Sequence, residues 1–375
     1  MQQIFFDARV MDTPTPSGIG LYAHHLLKAL LEAPQTDFNF LAFFNSWQPP
    51  TVPSFINDAS RGDAYITRFP NKAATVISVL SAPTLFGPAL RRSALCHFPH
   101  INAFGGSRLP TLQTVHDLSF EKFPQYLSLR NRLWHRYMAH AARRGDFFVT
   151  GSHAAKQDLM NSWDVPAARI RVIYHGLIES GINRPERLKQ YRLETGQYFL
   201  YIGDLDPRKN LLRLLAAFAG IKQHSAYADI KLVLAGKPGH NVKTILQTIH
   251  RLNLTDHVVL TGYVDADTKK SLLANALAFV YISLYEGFGL PILEAMHASL
   301  PVLLSNISAL PEIAGPDAVY VDPFDEDEIY AGLRILLEDA PRRAQLKLAG
   351  KARAATFTWT RTADQFLAYY RSILG

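Results

Sequence analysis

Apolar positions in this chain come in two rhythms that alternate from end to end. Short runs with no helical gap suit strands buried on both faces of a parallel sheet, and longer stretches spaced i, i+3, i+4 suit covering helices. In the first half the short runs predict strands at 3–7, 40–44, 94–98, 111–115, 147–150 and 170–174. A helix is predicted over 19–31, with Leu26, Leu27, Leu30 and Leu31 inward. In the second half strands are predicted at 198–203, 231–235, 258–262, 276–282 and 302–304. Leu211, Leu212, Leu215 and Phe218 mark one helix there, Leu293 and Met296 another, and Phe366, Leu367, Tyr370 and Ile373 line a last helix over 359–374. Strands alternating with helices predict an α/β chain with parallel sheets, whose ligands gather at the carboxyl ends of the strands.

Between the halves, 176–197 is polar, contains Pro185 and lacks a period, so the predicted boundary falls at 178/179. A length of 375 residues suits two such domains, and 48% hydrophobic with 19% charged residues is a globular composition. The lone Cys96 excludes a disulfide framework or a cysteine zinc cluster and suits a reducing cytoplasm. Met1 leads straight into a strand interrupted by Asp7, so no signal peptide is expected. The longest uncharged run, between Lys72 and Arg91, is broken by Pro83, Gly87 and Pro88 and is not expected to span a membrane.

The densest chemistry follows the 276–282 strand. Gly287 and Gly289 break the strand, and Pro291 sits where helices begin. A helix N-terminus behind a glycine turn favours a phosphate. Glu286 and Glu294 bracket this turn, and carboxylates repel phosphate. Their natural partners are sugar hydroxyls, which donate to a carboxylate in fixed geometry. A nucleotide carrying a sugar satisfies both halves of the site. A second strand-to-helix turn carries Arg208 and Lys209, a pair suited to clamping a diphosphate.

The string Glu286-Gly-Phe-Gly-Leu-Pro-Ile-Leu-Glu294 resembles the E-x7-E signature of retaining glycosyltransferase family 4. That resemblance implies the GT-B arrangement: two Rossmann-like domains at 1–178 and 179–355, and a C-terminal helix, 356–375, crossing back to the first. It implies that Glu294 holds the ribose and Glu286 the sugar hydroxyls. Arg208, Lys209 and the backbone N–H groups of Gly287, Phe288, Gly289 and Leu290 would hold the diphosphate. His116, followed by Asp117, resembles the histidine beside the transferred sugar, and Gly18 and Gly20 would belong to the loop facing donor and acceptor. Asp204 stands where many members carry an arginine. The chain looks most like bacterial mannosyltransferases of polysaccharide synthesis. The implied donor is GDP-mannose or a UDP-sugar, the acceptor a saccharide or polyprenyl-linked saccharide, and the chemistry a front-face retention without cofactor or metal.

Two other readings compete. Gly18-x-Gly20-x-x-Ala23 fits a dinucleotide fingerprint and suggests an NAD-dependent oxidoreductase, but the link from Asp7 is long and Asn45 stands where a ribose-binding acid belongs. A non-catalytic sugar-nucleotide sensor would have lost a clamp residue, and all are present. Asp204-Leu-Asp206, Asp265-Ala-Asp267 and the acidic run 325–328 read as caps and solvated helix starts rather than metal ligands.

The net charge of +7 is uneven: 1–178 hold 17 basic and 11 acidic residues, an excess of six. No nucleic-acid-binding signature accompanies it, which leaves anionic lipid and phosphorylated ligands as partners. From 128 to 144 there are five arginines, two histidines and no acid, with Leu133, Trp134, Tyr137 and Met138 interleaved. This basic amphipathic stretch reads either as a membrane-docking helix, on the cytoplasmic face of the inner membrane, or as a solvated domain face.

Overall fold

A computed structural model describes residues 1–12, 17–34, 37–47, 50–69, 75–77, 87–102, 108–179, 181–239 and 242–375. Most of the uncharged run between Lys72 and Arg91, Pro83 included, lies outside the described residues. Contacts divide the chain into two units, Met1–Phe120 with Leu127–Gly176 and Phe357–Gly375, and Glu121–Tyr126 with Leu177–Thr356. The short segment Glu121–Tyr126, placed by sequence with the first domain, thus groups with the second: the Phe123 ring lies 6.0 Å from Tyr285, and Lys122 sits over the same Tyr285 ring.

In the first unit, β1 (Gln2–Asp7), β2 (Phe38–Asn45), β3 (Gly62–Thr67), β4 (Leu95–Phe98), β5 (Thr111–Val115), β6 (Phe147–Thr150) and β7 (Ile170–Val172) form a sheet in the order β3-β2-β1-β4-β5-β6-β7. Every described pairing in it is parallel. Ile4, Phe5 and Phe6 are all fully buried, which is why β1 reads as a continuous apolar run rather than an alternating one. Strand β3 escapes the sequence reading because it is an edge strand, half-exposed along its length and carrying Gly62, Asp63 and Thr67.

The last helix, Trp359–Leu374, packs in this unit, capped by Thr358 Oγ1 on Arg361 N. It buries Ala363, Phe366, Leu367 and Tyr370 on one face in the same core as Leu26, Leu27 and Leu30 of helix Gly18–Glu32. A buried hydrogen bond of 2.6 Å joins Tyr370 Oη to His97 Nδ1, and Thr362 Oγ1 donates to the Tyr174 carbonyl at 2.8 Å. Apolar burial supplies the attraction and these polar bonds fix the register.

The second unit holds β8 (Tyr198–Ile202), β9 (Lys231–Ala235), β10 (Val258–Gly262), β11 (Ala278–Tyr281), β12 (Val302–Ser305) and β13 (Val319–Val321), all parallel, in the order β10-β9-β8-β11-β12-β13. Both sheets are of the doubly wound, Rossmann-like kind. Strand order reverses between β1 and β4 in one sheet and between β8 and β11 in the other. At such a reversal the loops diverge to opposite faces and leave a crevice at the carboxyl ends.

Candidate active site

Arg208 and Lys209 follow β8 and Glu286 follows β11, so all three emerge at the strand-order reversal of the second unit. Lys209 Nζ lies 2.5 Å from Glu286 Oε1, and an Arg208 guanidinium nitrogen lies 3.2 Å from Oε2. Lys209 also donates to Tyr281 Oη at 2.8 Å, and Arg208 donates to the Tyr285 carbonyl. Backbone straps hold the turn in place. Leu284 N donates to the Arg208 carbonyl at 2.9 Å, and Asn210, at a left-handed φ of 60°, donates to the carbonyls of Ile282 and Pro323.

Burial by itself would raise the Glu286 carboxyl, but the charges of Lys209 and Arg208 outweigh it and hold the group at about 2. The side chain is therefore an anion locked between two cations, and the trio carries one net positive charge. Ser308 Oγ closes the backbone around it, accepting from Glu286 N at 3.0 Å and donating to Glu286 O at 2.5 Å.

From this point the chain turns into helix Leu290–His297. Gly289 is its N-cap at φ 104°, where an added Cβ would meet the Ile292 Cδ1 at 2.8 Å, so glycine serves both the left-handed turn and the close packing. Pro291 occupies the first turn. Glu294 does not join the trio: its Oε1 pairs with Lys269 Nζ at 2.6 Å, and burial pushes its carboxyl up despite that partner.

Comparison with known proteins then identifies the chain. The family described as "Glycosyl transferases group 1" matches residues 183–353, and "Glycosyltransferase Family 4" matches 16–179. The O-antigen chain mannosyltransferase B of Escherichia coli is 29% identical over 370 residues, 95% of this chain and 96% of that one. The chain is a family 4 glycosyltransferase. Sucrose-phosphate synthase from Thermosynechococcus elongatus superposes with a TM-score of 0.75 at 21% identity, over 100% of this chain and 99% of that one. Anabaena HepE in complex with UDP and glucose superposes at 0.73 and 18%, over 99% and 100%. These likenesses establish the GT-B fold, in agreement with the two doubly wound sheets.

The glycosyltransferase's first unit holds the remaining sequence-predicted residues. His116 follows β5, and its Nε2 lies 2.9 Å from the Pro99 carbonyl. A carbonyl only accepts, so Nε2 carries the proton; burial pushes the imidazole below its ordinary value, and in the neutral ring Nδ1 is the acceptor. Tyr22 and His175 pack around it at 4.7 and 5.4 Å between rings. Gly18 and Gly20 open helix Gly18–Glu32, where Ser17 Oγ caps Gly20 N at 3.2 Å. A Cβ on Gly20 would stand 2.6 Å from the Val10 carbonyl oxygen, while one on Gly18 would meet nothing within 4 Å. Asn45 is taken up by the sheet edge, accepting from Thr67 Oγ1 at 2.8 Å. Among the described residues no group of three or more His, Cys, Asp or Glu is placed to hold a metal ion.

Sequence reading missed the polar cluster at the first unit's strand-order reversal. Asp7 ends β1 fully buried, paired to Arg9 at 2.6 Å and accepting from Asn102 Nδ2 at 2.8 Å. A charged residue ending an otherwise apolar strand was its only signal. Burial opposes ionisation here too, yet Arg9 holds the Asp7 carboxyl at about 2. Tyr281, Lys269 and Ser308 were also missed, because their roles arise from partners far along the chain.

Acid should expose both clusters. The folded values of Glu286 and Asp7 lie below the unfolded ones, so their stabilisation is complete above about pH 5 and is lost as pH falls toward 2. Each carboxyl contributes roughly 2–3 kcal/mol. Urea denaturation at pH 7 and pH 3 should show a smaller loss in Glu286→Gln than in the wild type. An equal loss would mean that Glu286 is not held ionised.

Proposed function

We propose that this family 4 glycosyltransferase transfers a hexose, mannose from GDP-mannose, to a saccharide or polyprenyl-linked saccharide acceptor with retention of the anomeric configuration. The observation that carries the reading is the Arg208–Lys209–Glu286 cluster at the carboxyl ends of β8 and β11. It combines excess positive charge for a diphosphate with a fixed carboxylate for sugar hydroxyls. The mannose assignment draws on the Escherichia coli relative named as a mannosyltransferase, and a nucleoside diphosphate as leaving group draws on HepE, whose structure was solved in complex with UDP and glucose.

In this mechanism Lys209, Arg208 and the backbone at Gly287, Phe288, Gly289 and Leu290 take the diphosphate. They stabilise the charge that develops on it as the glycosidic bond breaks. Glu294 takes the ribose hydroxyls. Glu286 orients the sugar and offsets positive charge at its anomeric carbon. A carboxylate held at about 2 between two cations is a poor base and a poor nucleophile. A diphosphate oxygen is the better proton acceptor, and the acceptor hydroxyl attacks from the leaving-group face. His116 presents Nδ1 as an acceptor for a sugar hydroxyl, and the helix start at Gly18 and Gly20 serves donor and acceptor, open at Gly18 while Gly20 is packed against the Val10 carbonyl. Two cations and a helix N-terminus supply the leaving group's counter-charge, so neither metal nor organic cofactor is required.

A thermal-shift panel tests this. GDP, UDP and their sugars should raise the melting temperature, with GDP-mannose most effective, by about 2.7 kcal/mol of stability at a hundred times Kd. Transfer should persist in EDTA. Saturable stabilisation by NAD with none by any nucleoside diphosphate would overturn the donor reading. Turnover abolished by EDTA and restored by manganese would overturn the metal-free clamp.

A further inference from the structure

Of the two carboxylates that bracket the glycine turn, Glu294 takes its partner from outside the trio. It lies on helix Leu290–His297, which follows β11, and Lys269 lies on helix Ala266–Asn275, which follows β10. Both residues fall within the first five positions of their helices, so they meet at the carboxyl end of the sheet, where ligands gather. The start of the lysine's helix is fixed from two sides. Asp265 caps it, accepting from Thr268 N at 2.8 Å, and Arg187 holds Asp265 at 2.6 Å.

Lys269 Nζ is 2.6 Å from Glu294 Oε1, with the two side chains only 20% and 10% exposed. At that burial, desolvation offsets much of the attraction, so stability alone does not account for the pair. Its geometry leaves one acceptor over. Oε1 is taken by the lysine, and among the described residues no hydrogen bond reaches Oε2.

The carboxyl also needs the lysine to stay charged. Burial pushes it up, and Lys269 is the main opposing charge, followed by Lys270 of the same helix. On its own helix His297, three residues on, is turned to Glu179 at 3.3 Å. A protonated carboxyl loses acceptor capacity and has an O–H of its own to place, which makes it a poorer reader of hydroxyl donors.

We propose that Lys269 is a positioning residue for the ribose of the nucleotide, acting through Glu294: it fixes the carboxylate by Oε1 and leaves Oε2 for a ribose hydroxyl. This role rests on Glu294 taking the ribose hydroxyls, as proposed above. Lys269 itself makes no contact with the nucleotide.

Calorimetric titration of the full chain with GDP, UDP and their 2′,3′-dideoxy forms tests it, because each pair differs only in the ribose hydroxyls. The wild type should bind the preferred nucleotide about 10- to 100-fold more tightly than its dideoxy form, the range of a hydrogen bond to a charged group. Lys269→Met and Glu294→Gln should each lower that ratio about 5- to 10-fold, the difference between a charged and a neutral acceptor. Lys269→Arg keeps the cation and should keep most of the ratio. The double variant Lys269→Met with Glu294→Gln carries no unpaired charge, so it keeps the comparison open if Lys269→Met alone does not fold. Its ratio should equal that of Glu294→Gln, since the lysine acts through the carboxylate. A further drop in the double variant would mean direct contact between Lys269 and the nucleotide and would overturn the positioning role. So would a Lys269→Met protein with a lowered melting temperature and an unchanged ratio, the mark of a purely structural pair. Full discrimination in Glu294→Gln, or none in the wild type, would instead overturn the ribose reading of Glu294, and with it the part given to Lys269.

Discussion

Glu286→Gln is expected to lower turnover by about 10²- to 10³-fold, the cost of roughly 2–4 kcal/mol of transition-state stabilisation. The amide keeps the shape and much of the hydrogen bonding but loses the charge that, in the proposed mechanism, stands opposite the developing oxocarbenium-like centre. In the resting enzyme that carboxylate neutralises one of two cations, at 2.5 and 3.2 Å. Its removal raises the cluster from one net positive charge to two. Nucleoside diphosphate affinity should accordingly hold or tighten while kcat falls. Stability should fall as well, since Lys209 is left buried without its anion. Calorimetry beside steady-state transfer separates these effects. Near-normal turnover would take Glu286 out of the mechanism and leave it an ion-pair role only.

Lys209→Ala should fail differently. In the proposed mechanism its ammonium meets the diphosphate in the ground state and again as negative charge grows on it, so donor affinity and kcat should fall together. A charge-assisted contact of this kind is worth about 10- to 100-fold in affinity, and its strengthening in the transition state adds a comparable loss in kcat. The alanine also leaves Glu286 with Arg208 as its remaining cation among these three, so the carboxyl should rise from about 2 toward the ordinary range. Loss of kcat with unchanged donor affinity would mean that Lys209 does not meet the diphosphate in the ground state. The reverse pattern, weaker binding with kcat intact, would keep the lysine on the diphosphate but show that its contact does not strengthen in the transition state.

The two variants also show where sequence reasoning stopped. Residue by residue, Arg208 and Lys209 were legible as a cationic turn and Glu286 as a carboxylate just before a glycine turn. Their mutual pairing was not, because a sequence lists each charge beside its chain neighbours, and these groups are 77 and 78 positions apart. Glu294 shows the same limit: its spacing from Glu286 marks it, but nothing local announces Lys269 at 2.6 Å. His116 was legible as a strand-end histidine; which nitrogen carries the proton depends on Pro99.

The chain alone determined the alternation of strand and helix, because two-sided burial writes an uninterrupted apolar run and one-sided burial writes a 3.6-residue period. Strands β5, β6, β9 and β10 and the last helix carry the bounds their apolar pattern predicts. The chemistry of the glycine turn before Leu290 was likewise local, set by a left-handed φ and a helix start. Tertiary structure decided what depends on distant partners. Edge strands β3 and β13 exist because β2 and β12 offer them hydrogen bonds, since β3 is broken by Gly62, Asp63 and Thr67 and β13 is only three residues long. The buried Asp7–Arg9–Asn102 cluster forms where β1 and β4 part company at the sheet's order reversal. The basic stretch 128–144 was amphipathic in the sequence, but only packing showed that Leu129, Leu133 and Tyr137 of helix Leu129–Ala142 point to solvent while Met138, Ala139, Ala141 and Ala142 are buried.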